Sequence, residues 1–559
     1  MPGLGAGSAV VPSMVSPTAE MVTVPVGGGG SDDAGGCDAG PDVAACDVPG
    51  WVEPARPEAP DPPVVPPDAI RASSSPKAST TTASTTIAVI LRRRTAFRRF
   101  DRWSLICRRA RCGSWSDMLD LSSRTVTLER RIEDAVEAAR GELTDLTSRL
   151  IGFDTTAREI EDPPRDEADL QEYLGDRLRT AGAAVDIWEP DPGDVSGTRQ
   201  VPAGLGFAGR PQLAARFAGA GGGRSLLFNG HIDVVPSDPR ERWTSDPNQA
   251  EVRDGKLYGR GACDMKGGVA AMVFAAEILS RLGVRLQGDL IVNTVTDEES
   301  SGAGGLAAVR HGVAADAGIV TEPTAFDVWV GCRGSLSPTF VVPGRPGHAE
   351  MAQPHWRDGG AVNAIEKAGL VLEAVAQLRE EWRGRADKTH PYLSAGDIVP
   401  TVISGGEWVV TYPSSCTVQC ELMYLPGNAD TDGWGTLVET EVEEFILRRT
   451  AADPWLAENP PAVRWSLDIP PYEVDPGHPI VTTMLDASAA AGEPSRLSGL
   501  DSWFDAASFT RFGGTPSIGW GPRDIAWAHT IDEYVPVDDL VRCSTGLAIA
   551  AVRYCGVAE

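Results

Sequence analysis

The spacing of apolar residues divides residues 127 to about 333 into alternating helices and strands. Apolar residues recur at helical spacing in four segments, which are predicted as helices: about 127–151, 166–182, 267–282 and 303–311. Short apolar runs predict strands at about 184–188, 212–217 and 224–229, and in "GDLIVNTVT" and "AGIVT". This alternation of strand and helix predicts an α/β fold whose central sheet is mostly parallel.

A different pattern of elements follows residue 333. In chain order it contains the strand "SLSPTFVVPG", the helix "GAVNAIEKAGLVLEAVAQLREEWRGR", two strands around a Gly-Gly turn in "DIVPTVISGGEWVVTYPSSCTVQCELMYLP", the helix "WGTLVETEVEEFILRRT" and the strand "AVRWSLD". The order β-α-β-β-α-β is typical of a ferredoxin-like domain. We therefore expect a small domain at residues 334–470 that interrupts a larger one formed by residues 118–333 and 471–559.

The first 117 residues differ in composition from the rest of the chain. They are rich in Gly, Pro, Ala, Ser and Thr and include the run "ASSSPKASTTTASTT", so we predict a disordered, low-complexity extension. Its arginine-rich end, "LRRRTAFRRFDRWSLICRRAR", is either an arm for an anionic partner such as nucleic acid or sequence without a selected role. We favour the second interpretation and expect the folded protein to begin at Met118.

Composition and charge argue against several classes of protein. The 559 residues carry a formal net charge of −28, which argues against general binding to nucleic acids or membrane surfaces. No apolar stretch is long enough to span a bilayer, and no secretory signal is recognised at the N-terminus. The ten cysteines form no CxxC pair, which favours reduced thiols in a cytoplasmic protein over a disulfide framework.

Residues that can bind metal follow several predicted strands of the larger domain. In chain order these are His231 and Asp233 after "SLLFNG", Asp264 after "KLYGRGAC", Asp297, Glu298 and Glu299 after "LIVNTVT", Glu322 after "AGIVT", and His529 after "PSIGWGP". Taken one at a time, such residues are more often helix caps, solvated loop residues or surface histidines. Together they predict one shared site on one edge of one sheet, because open α/β sheets bind ligands at the carboxyl ends of their strands.

The types of these residues indicate which metal the site would hold. Imidazole and carboxylate groups are good zinc ligands, and one carboxylate can bridge two ions. The two histidines and three of these six carboxylates would therefore suit two zinc ions per chain, for which cobalt can substitute. A pair of neighbouring glutamates then has an explanation, because Glu299 can bind metal while Glu298 stays free to transfer a proton.

Seven segments of the chain resemble motifs of the M20 metallopeptidase family, in the deacylase branch that includes acetylornithine deacetylase and succinyl-diaminopimelate desuccinylase. They are "GHIDVVP", "GRGACDMKGG", "TDEESSGAGG", "TEPT", "GRPGHAE", "GAVNAI" and "AHTIDEYVP". The resemblance covers about residues 127–555 in order and includes flanking residues as well as the candidate ligands. It implies a zinc-peptidase-like catalytic domain that is interrupted by a ferredoxin-like lid and dimerisation domain.

The resemblance also implies a role for each candidate residue. The implied metal ligands are His231 and Glu322 for one zinc ion, Glu299 and His529 for the other, and Asp264 as a bridge. Glu298 would be the general acid/base, which takes a proton from the attacking water and delivers it to the leaving amine. Asp233 would hydrogen-bond the other nitrogen of His231 and so fix its tautomer. His348 matches a lid histidine that steadies the oxyanion in the partner's site of dimeric relatives, which implies a homodimer through the lid.

One position departs from the family pattern. Family members often have an arginine in a lid strand, four residues before the glycine of a Pro-Gly ending, and it commonly binds a substrate carboxylate. In "CELMYLPG" this position is occupied by Met423. Arg333 either compensates for the missing arginine or has a structural role at the domain junction. The resemblance thus implies a deacylase of an N-acyl amino acid or related small amide, with the acyl group and amine left open.

Three other functions are weighed against this one. An M20 dipeptidase or carboxypeptidase would use the same residues on a small peptide. A non-catalytic metal-binding scaffold is disfavoured, because neither Glu298 nor any candidate ligand is missing. A nucleic-acid-binding protein would have to act through the arginine-rich segment alone, and we expect no nucleic-acid or membrane partner.

Overall fold

The computed structural model describes residues 115–157 and 162–559, with side chains from residue 127 onward. The strands in these ranges are β1 (Ala184–Trp188), β2 (Gln212–Phe217), β3 (Leu226–His231), β4 (Glu251–Arg253), β5 (Lys256–Tyr258), β6 (Leu290–Val295), β7 (Ala317–Val320), β8 (Val328–Cys332), β9 (Gly334–Pro343), β10 (Asp397–Gly405), β11 (Ser415–Tyr424), β12 (Ala462–Ile469), β13 (Tyr472–Glu473), β14 (Leu497–Leu500), β15 (Ser517–Gly519) and β16 (Tyr534–Pro536). The α-helices are Trp115–Ala138, Arg140–Ile151, Glu167–Thr180, Pro192–Val195, Lys266–Arg281, Glu298–Ser301, Ala303–His311, Ala364–Arg383, Thr436–Thr450, Pro454–Glu458, Pro479–Ala490, Ala506–Arg511 and Val537–Cys555.

The expected start of the folded protein at Met118 remains a prediction. The expected disorder of residues 1–117 concerns mainly residues 1–114, which lie outside the described residues. A helix begins at Trp115, three residues before Met118. The single helix predicted at 127–151 is two helices, because the backbone at Ala139 has φ −104° and ψ 18° and interrupts the helical path.

A nine-stranded sheet forms the centre of the described structure, in the order β1-β2-β6-β3-β7-β15-β8-β13 with β14 beside β8. β3 is parallel to both of its neighbours, β6 and β7, and β15 is parallel to β7. All six residues of β3 are buried, as expected for a strand that is covered on both faces. The predicted α/β fold is confirmed, with the parallel strands in the middle of a mixed sheet.

The helix Lys266–Arg281 packs closely against β3 and β6 of this sheet. It contacts β3 and also the C-terminal helix Val537–Cys555, and its residues from Lys266 to Leu279 are buried. Gly268, in its first turn, permits the approach, because a Cβ there would lie 2.0 Å from the main-chain O of Thr321. The start of this helix therefore touches the edge of the sheet at which the candidate ligands are expected.

The strands β9 to β12 form a separate antiparallel sheet in the order β10-β11-β9-β12, here called the lid sheet. The helix Ala364–Arg383 packs on this sheet and against the helix Thr436–Thr450, with Trp382 and Phe340 buried in their shared core. The predicted β-α-β-β-α-β order is thereby confirmed. The division of the chain into domains at residues 334 and 470 remains a prediction.

A third sheet, in the order β16-β5-β4, corrects one expectation from the sequence. The segment "KLYGRGAC" is not part of the large sheet, because β5 pairs with β4 as a hairpin and with β16. β5 ends at Tyr258, since Gly259 and Gly261 follow with φ values of 151° and 84° that only glycine adopts readily. Asp264 is therefore brought to the site by the small sheet and not by a strand of the large one.

Contacts at the junction between the large sheet and the lid sheet account for Arg333. Its Nε donates to the main-chain O of Asp501 at 2.6 Å, and its Nη1 donates to the main-chain O of Ala395 at 3.0 Å. The Asp501 carboxylate in turn accepts hydrogen bonds from the N–H and Oγ–H groups of Ser394. These contacts favour the structural one of the two roles predicted for Arg333.

The cysteines of the described ranges are buried, unpaired thiols at positions 263, 332, 416, 420, 543 and 555. Cys416 and Cys420 share β11, as the sequence pattern indicates. Burial raises the pKa of the Cys420 thiol to about 12, so it is protonated at neutral pH. Among the described helices, none combines the length and the apolar character that a membrane crossing requires.

Candidate metal centre

Three parallel neighbours in the large sheet, β6, β3 and β7, bring candidate residues to the same edge. His231 is the last residue of β3, Glu298 and Glu299 follow β6, and Glu322 follows β7. The registers of β3 with β6 and with β7 hold the three strand ends level. These four residues therefore meet at the carboxyl ends of the strands, where open α/β sheets bind ligands.

Asp264 lies between the two candidate histidines. Its Oδ1 is 3.1 Å from Nε2 of His231, and its Oδ2 is 3.5 Å from Nε2 of His529. Oε2 of Glu299 is 3.2 Å from Nε2 of His529, and Oε1 of Glu322 is 3.8 Å from Nε2 of His231. The five predicted ligands thus form one cluster, with one histidine and one glutamate on either side of Asp264.

His529 is the exposed member of this cluster. Its side chain is 53% exposed, whereas those of His231 and Asp264 are 1% and 8% exposed. It lies on the loop between β15 and β16 with a φ of 60°, a left-handed conformation that histidine adopts more readily than most residues. The cluster is therefore open to a small molecule on the side of His529.

Glu298 enters the cluster from the short helix Glu298–Ser301. Its Oε2 is 4.0 Å from Nε2 of His231, and its side chain is 8% exposed. Asp297, directly before it, has a φ of 60° and forms a buried ion pair with Arg210 at 2.8 Å. This ion pair holds the turn from which Glu298 and its neighbour project into the site.

The contact between His231 and Asp233 differs from the predicted one. Nδ1 of His231 is 2.9 Å from the main-chain O of Asp233 but 3.7 Å from its carboxylate. Because a carbonyl oxygen only accepts, Nδ1 carries the proton and Nε2 is left free to bind a metal ion. The Asp233 carboxylate instead accepts hydrogen bonds from the N–H groups of Glu298 and Glu299, at 3.3 and 3.0 Å. Asp233 therefore positions both glutamates.

Burial and the crowding of negative charge raise the pKa of three carboxyl groups in the cluster. Burial raises the pKa of Glu298 well above its usual value, and Glu322 adds to the rise although His231 opposes it. Burial also raises the pKa of Glu322 and of Glu299, with Asp264 adding in both cases. Burial opposes ionisation of Asp264 too, yet hydrogen bonds from the two histidines lower its pKa. A cation bound here would stabilise the ionised forms of all these groups.

Two observations indicate that these residues fit a metal ion. Ligand atoms of His231, Asp264 and Glu299 all lie within 4.8 Å of one another, close enough to surround one ion. Oε1 of Glu299 is buried and has no hydrogen-bond partner among the described residues, although leaving a buried oxygen unpaired is costly. Imidazole and carboxylate are also the groups by which zinc is commonly held. The cluster is therefore suited to metal binding.

His348 lies outside the cluster, on the segment between β9 and the helix Ala364–Arg383. The residue is exposed, and its Nδ1 accepts a hydrogen bond from the N–H group of Glu350 at 3.3 Å. A β-bridge with Thr411 joins it to the loop between β10 and β11. Among the described residues, His348 takes no part in the contacts of up to 4.0 Å that join the members of the cluster. The role expected for it would require a second copy of the chain.

The sequence analysis did not identify two buried acidic residues of this region. Asp505 is 2% exposed, neither of its carboxylate oxygens has a hydrogen-bond partner among the described residues, and burial raises its pKa to about 7. Glu533 is fully buried and accepts hydrogen bonds from the main chain at Cys263 and Asp264. Glu533 could have been identified from its position in the motif "AHTIDEYVP", whereas Asp505 lies in none of the motifs.

Comparisons with known proteins show what this chain is similar to. Residues 227–552 match the sequence profile of a family described as "Peptidase family M20/M25/M40". The chain is 26% identical over 460 residues to N-formyl-4-amino-5-aminomethyl-2-methylpyrimidine deformylase of Bacillus subtilis (strain 168), covering 78% of this chain and 99% of that protein. It is 30% identical over 432 residues to acetylornithine deacetylase of Myxococcus xanthus, covering 76% and 100%. The crystal structure of human carnosine dipeptidase 1 shares the fold, with a TM-score of 0.57 at 14% identity over 77% and 99% of the two chains.

Proposed function

Because this chain belongs to peptidase family M20/M25/M40, we propose that it hydrolyses the amide bond of an N-acyl amino acid or related small amide with two zinc ions. The observation that carries the proposal is the cluster of two histidines and three carboxylates, with Glu298 at 4.0 Å from His231. Such a cluster suits metal-assisted hydrolysis, in which one buried carboxyl group is left to transfer protons.

The proposed ligands are shared between two ions. His231 and Glu322 would hold one ion, Glu299 and His529 would hold the other, and Asp264 would contribute to both sites. The distances support this assignment, because Glu322 lies 3.8 Å from His231 and Glu299 lies 3.2 Å from His529. When bound, the ions would polarise the amide carbonyl and increase the acidity of the attacking water, and cobalt would substitute for zinc.

Glu298 is the proposed general acid/base. Burial raises its pKa well above its usual value, so it holds a proton more readily than an exposed glutamate does. It takes a proton from the water that attacks the carbonyl carbon and delivers it to the leaving amine, which gives a carboxylate and an amine. Asp233 holds the main chain of Glu298 in place, and His348 of a second copy would stabilise the oxyanion.

The lid favours a second substrate class, N-acyl amines without a carboxylate. Met423 lies on β11 beside Asp397 and Ser335, where it offers no charge for a carboxylate. The guanidinium of Arg333 donates hydrogen bonds to main-chain carbonyl groups at the junction of the two sheets. The relative from Bacillus subtilis is named for an N-formyl aminopyrimidine, which supports testing such amides beside N-acyl amino acids and dipeptides.

We also propose a homodimer through the lid sheet. β10 is an edge strand of this sheet and exposes Val399, Val402 and Ile403 by 39%, 51% and 54%. An edge strand with exposed aliphatic side chains pairs readily with another strand. The loop that follows β10 is bridged to His348, so pairing of two β10 strands would carry His348 towards the other copy.

The proposed compartment is the cytoplasm. The cysteines of the described ranges are unpaired, which is usual in a reducing compartment. Fractionation of cells that produce the full chain would test it.

A substrate panel tests the proposed activity. The full-length protein, supplied with Zn²⁺ or Co²⁺, is incubated with N-acetyl and N-succinyl amino acids, N-formyl aminopyrimidines and dipeptides, and amine release is measured. We expect cleavage of at least one N-acyl compound, and loss of that cleavage in the Glu298→Gln variant at equal metal content. A metal-loaded protein that cleaves only dipeptides would favour the peptidase alternative, and one that cleaves nothing would contradict the proposal.

A further inference from the structure

Glu533 is a buried residue for which the proposed mechanism has no role. Its side chain is 0% exposed, and it lies four residues after His529, directly before β16. Its Oε1 accepts hydrogen bonds from the main-chain N–H groups of Cys263 and Asp264, at 2.8 and 3.1 Å. Its Oε2 accepts a hydrogen bond from Nη1 of Arg260. One carboxylate thus holds the main chain of a proposed metal ligand.

Further contacts join the segments around this carboxylate. The main-chain O of Glu533 accepts a hydrogen bond from the N–H group of Gly259 at 3.0 Å, which extends the pairing of β16 with β5. Nη2 of Arg260 donates to the main-chain O of Pro236 at 3.2 Å, in the segment that follows β3. Glu533 and Arg260 therefore lie where three segments that supply the cluster come together.

We propose that Glu533 is a positioning residue that sets the direction of the Asp264 carboxylate, an inference that rests on the proposed metal site. The two oxygens of Asp264 face different histidines, at 3.1 and 3.5 Å. A small rotation of the main chain at Asp264 would lengthen one of these distances, and the short aspartate side chain has little reach to compensate. Two adjacent N–H groups bonded to one oxygen of Glu533 prevent this rotation.

The contacts of Glu533 require a carboxylate. Its partners are two N–H groups and a guanidinium, and all of them are donors. A glutamine would turn its NH₂ group towards one of these donors, so at least one buried donor would lose its acceptor. Glu533→Gln therefore preserves the size of the side chain and removes the feature on which the proposal depends.

Glu277 offers a matched control within the same chain. It is also a buried glutamate, 5% exposed, and its two oxygens accept hydrogen bonds from Arg177 at 2.9 and 2.7 Å. It lies in the later turns of the helix Lys266–Arg281, and its remaining ion pair is with Arg281. Glu277→Gln therefore reports the general effect of weakening a buried glutamate–arginine pair.

Cobalt binding distinguishes a positioning role from a merely structural one. Full-length wild type, Glu533→Gln and Glu277→Gln are stripped of metal with a chelator and titrated with Co²⁺, whose visible absorption reports ligand geometry. Circular dichroism checks the fold of each metal-free protein. We expect Glu533→Gln to bind Co²⁺ about 10–100-fold more weakly with altered bands, the usual loss for a residue that orients a metal ligand. Glu277→Gln should match the wild type in both affinity and spectrum.

Two results would overturn the inference: equal Co²⁺ affinity and spectra in Glu533→Gln and wild type, or an equal loss in Glu277→Gln. If Glu533→Gln does not fold, Arg260→Lys is measured in its place, because it keeps a positive charge but loses the paired donors. Unchanged Co²⁺ binding in a folded Arg260→Lys protein would also overturn the inference. A wild type that binds no Co²⁺ contradicts the proposed metal site itself, which separates that failure from the failure of the role given to Glu533.

Discussion

At the scale of single residues, Glu298 and Glu299 are adjacent in the chain but have different surroundings. Oε2 of Glu299 is 3.2 Å from His529, whereas Oε2 of Glu298 approaches His231 only to 4.0 Å. We predict that Glu298→Gln keeps its metal and loses about 10²–10⁴-fold in kcat, as for other general acid/base groups. The loss should lie towards the upper end, because the same group serves both proton transfers. Metal analysis and steady-state kinetics of the purified variant check this.

The neighbouring substitution Glu299→Gln should have the opposite effect on metal content. It removes a proposed ligand, so we predict that the metal content falls and that added Zn²⁺ restores part of the activity. Metal analysis before and after dialysis measures the difference. If Glu298→Gln lost its metal and Glu299→Gln kept it, the roles proposed for the two residues would have to be exchanged. Near-normal turnover in both variants would mean that hydrolysis does not occur at this site.

For single residues, the residue type and its position relative to a predicted strand were enough to predict which side chains lie together. The five candidate ligands form one cluster in the structure because each stands at a strand end or in a loop beside one. The contact of His231 was not predictable, since alternation along a strand indicates where a side chain points but not which carbonyl group it meets. Asp505 was missed for a related reason, because its burial depends on segments that are distant in sequence.

At the scale of elements, the close packing of the helix Lys266–Arg281 depends on Gly268. A Cβ at this position would lie 2.0 Å from the main-chain O of Thr321, directly before Glu322. We predict that Gly268→Ala lowers the free energy of unfolding by about 1–3 kcal/mol, as overpacking typically does, and that it also lowers metal content. Thermal unfolding and metal analysis measure the two effects.

Gly369 provides the control for this substitution. It is an exposed residue within the helix Ala364–Arg383, and a Cβ there meets nothing within 4 Å. Gly369→Ala should raise the free energy of unfolding by up to about 1 kcal/mol, because alanine has the higher helix propensity. If Gly268→Ala were as stable and as metal-rich as the wild type, the described contact with Thr321 would be wrong.

Before residue 470, the helices and strands of more than five residues were largely predictable from apolar spacing, whereas the helices Pro479–Ala490, Ala506–Arg511 and Val537–Cys555 were not predicted. Among the predicted elements, the long helix Ala364–Arg383 begins after Asn363, whose side chain caps it. The third sheet was not predictable, because its strands have three residues each and their pairing joins segments far apart in the chain. The break at Ala139 was also missed, since apolar residues continue at helical spacing across it.

At the scale of the whole molecule, a lid-mediated homodimer would make each active site depend on two chains. We predict that mixing the inactive Glu298→Gln variant with an inactive His348→Ala variant restores activity. Recovery should reach about a quarter of the wild-type value, since random exchange makes half of the dimers mixed and each has one complete site. Amine release after mixing measures the recovery. Absence of recovery, with mixed dimers verified by mass spectrometry, would exclude a histidine that acts in trans.

Removal of residues 1–117 is predicted to leave the activity unchanged. The composition of this segment provides too few apolar side chains for a packed core. A chain that begins at Met118 should retain its metal content, kcat and thermal unfolding temperature, and all three are measured beside the full chain. Loss of folding or activity in the shortened chain would show that the extension contributes to the enzyme.

The presence of a separate antiparallel sheet between strands of the large sheet was predictable, because the pattern of elements changes after β8 and changes back after β12. Strand order within the large sheet was not predictable. β15, for example, has three residues and lies between β7 and β8, and no local feature of Ser517–Gly519 indicates those neighbours. Strand order arises from packing between elements, which single-sequence patterns do not record.

The place of β15 determines the order in which the protein can assemble during its synthesis. β15 lies between β7 and β8 in the large sheet, yet the ribosome makes it only after the entire lid sheet. The large sheet therefore cannot be completed until the lid sheet and β15 have been made. His529 follows β15 in the chain, so the proposed set of metal ligands is complete only after the last strand of the large sheet has been made.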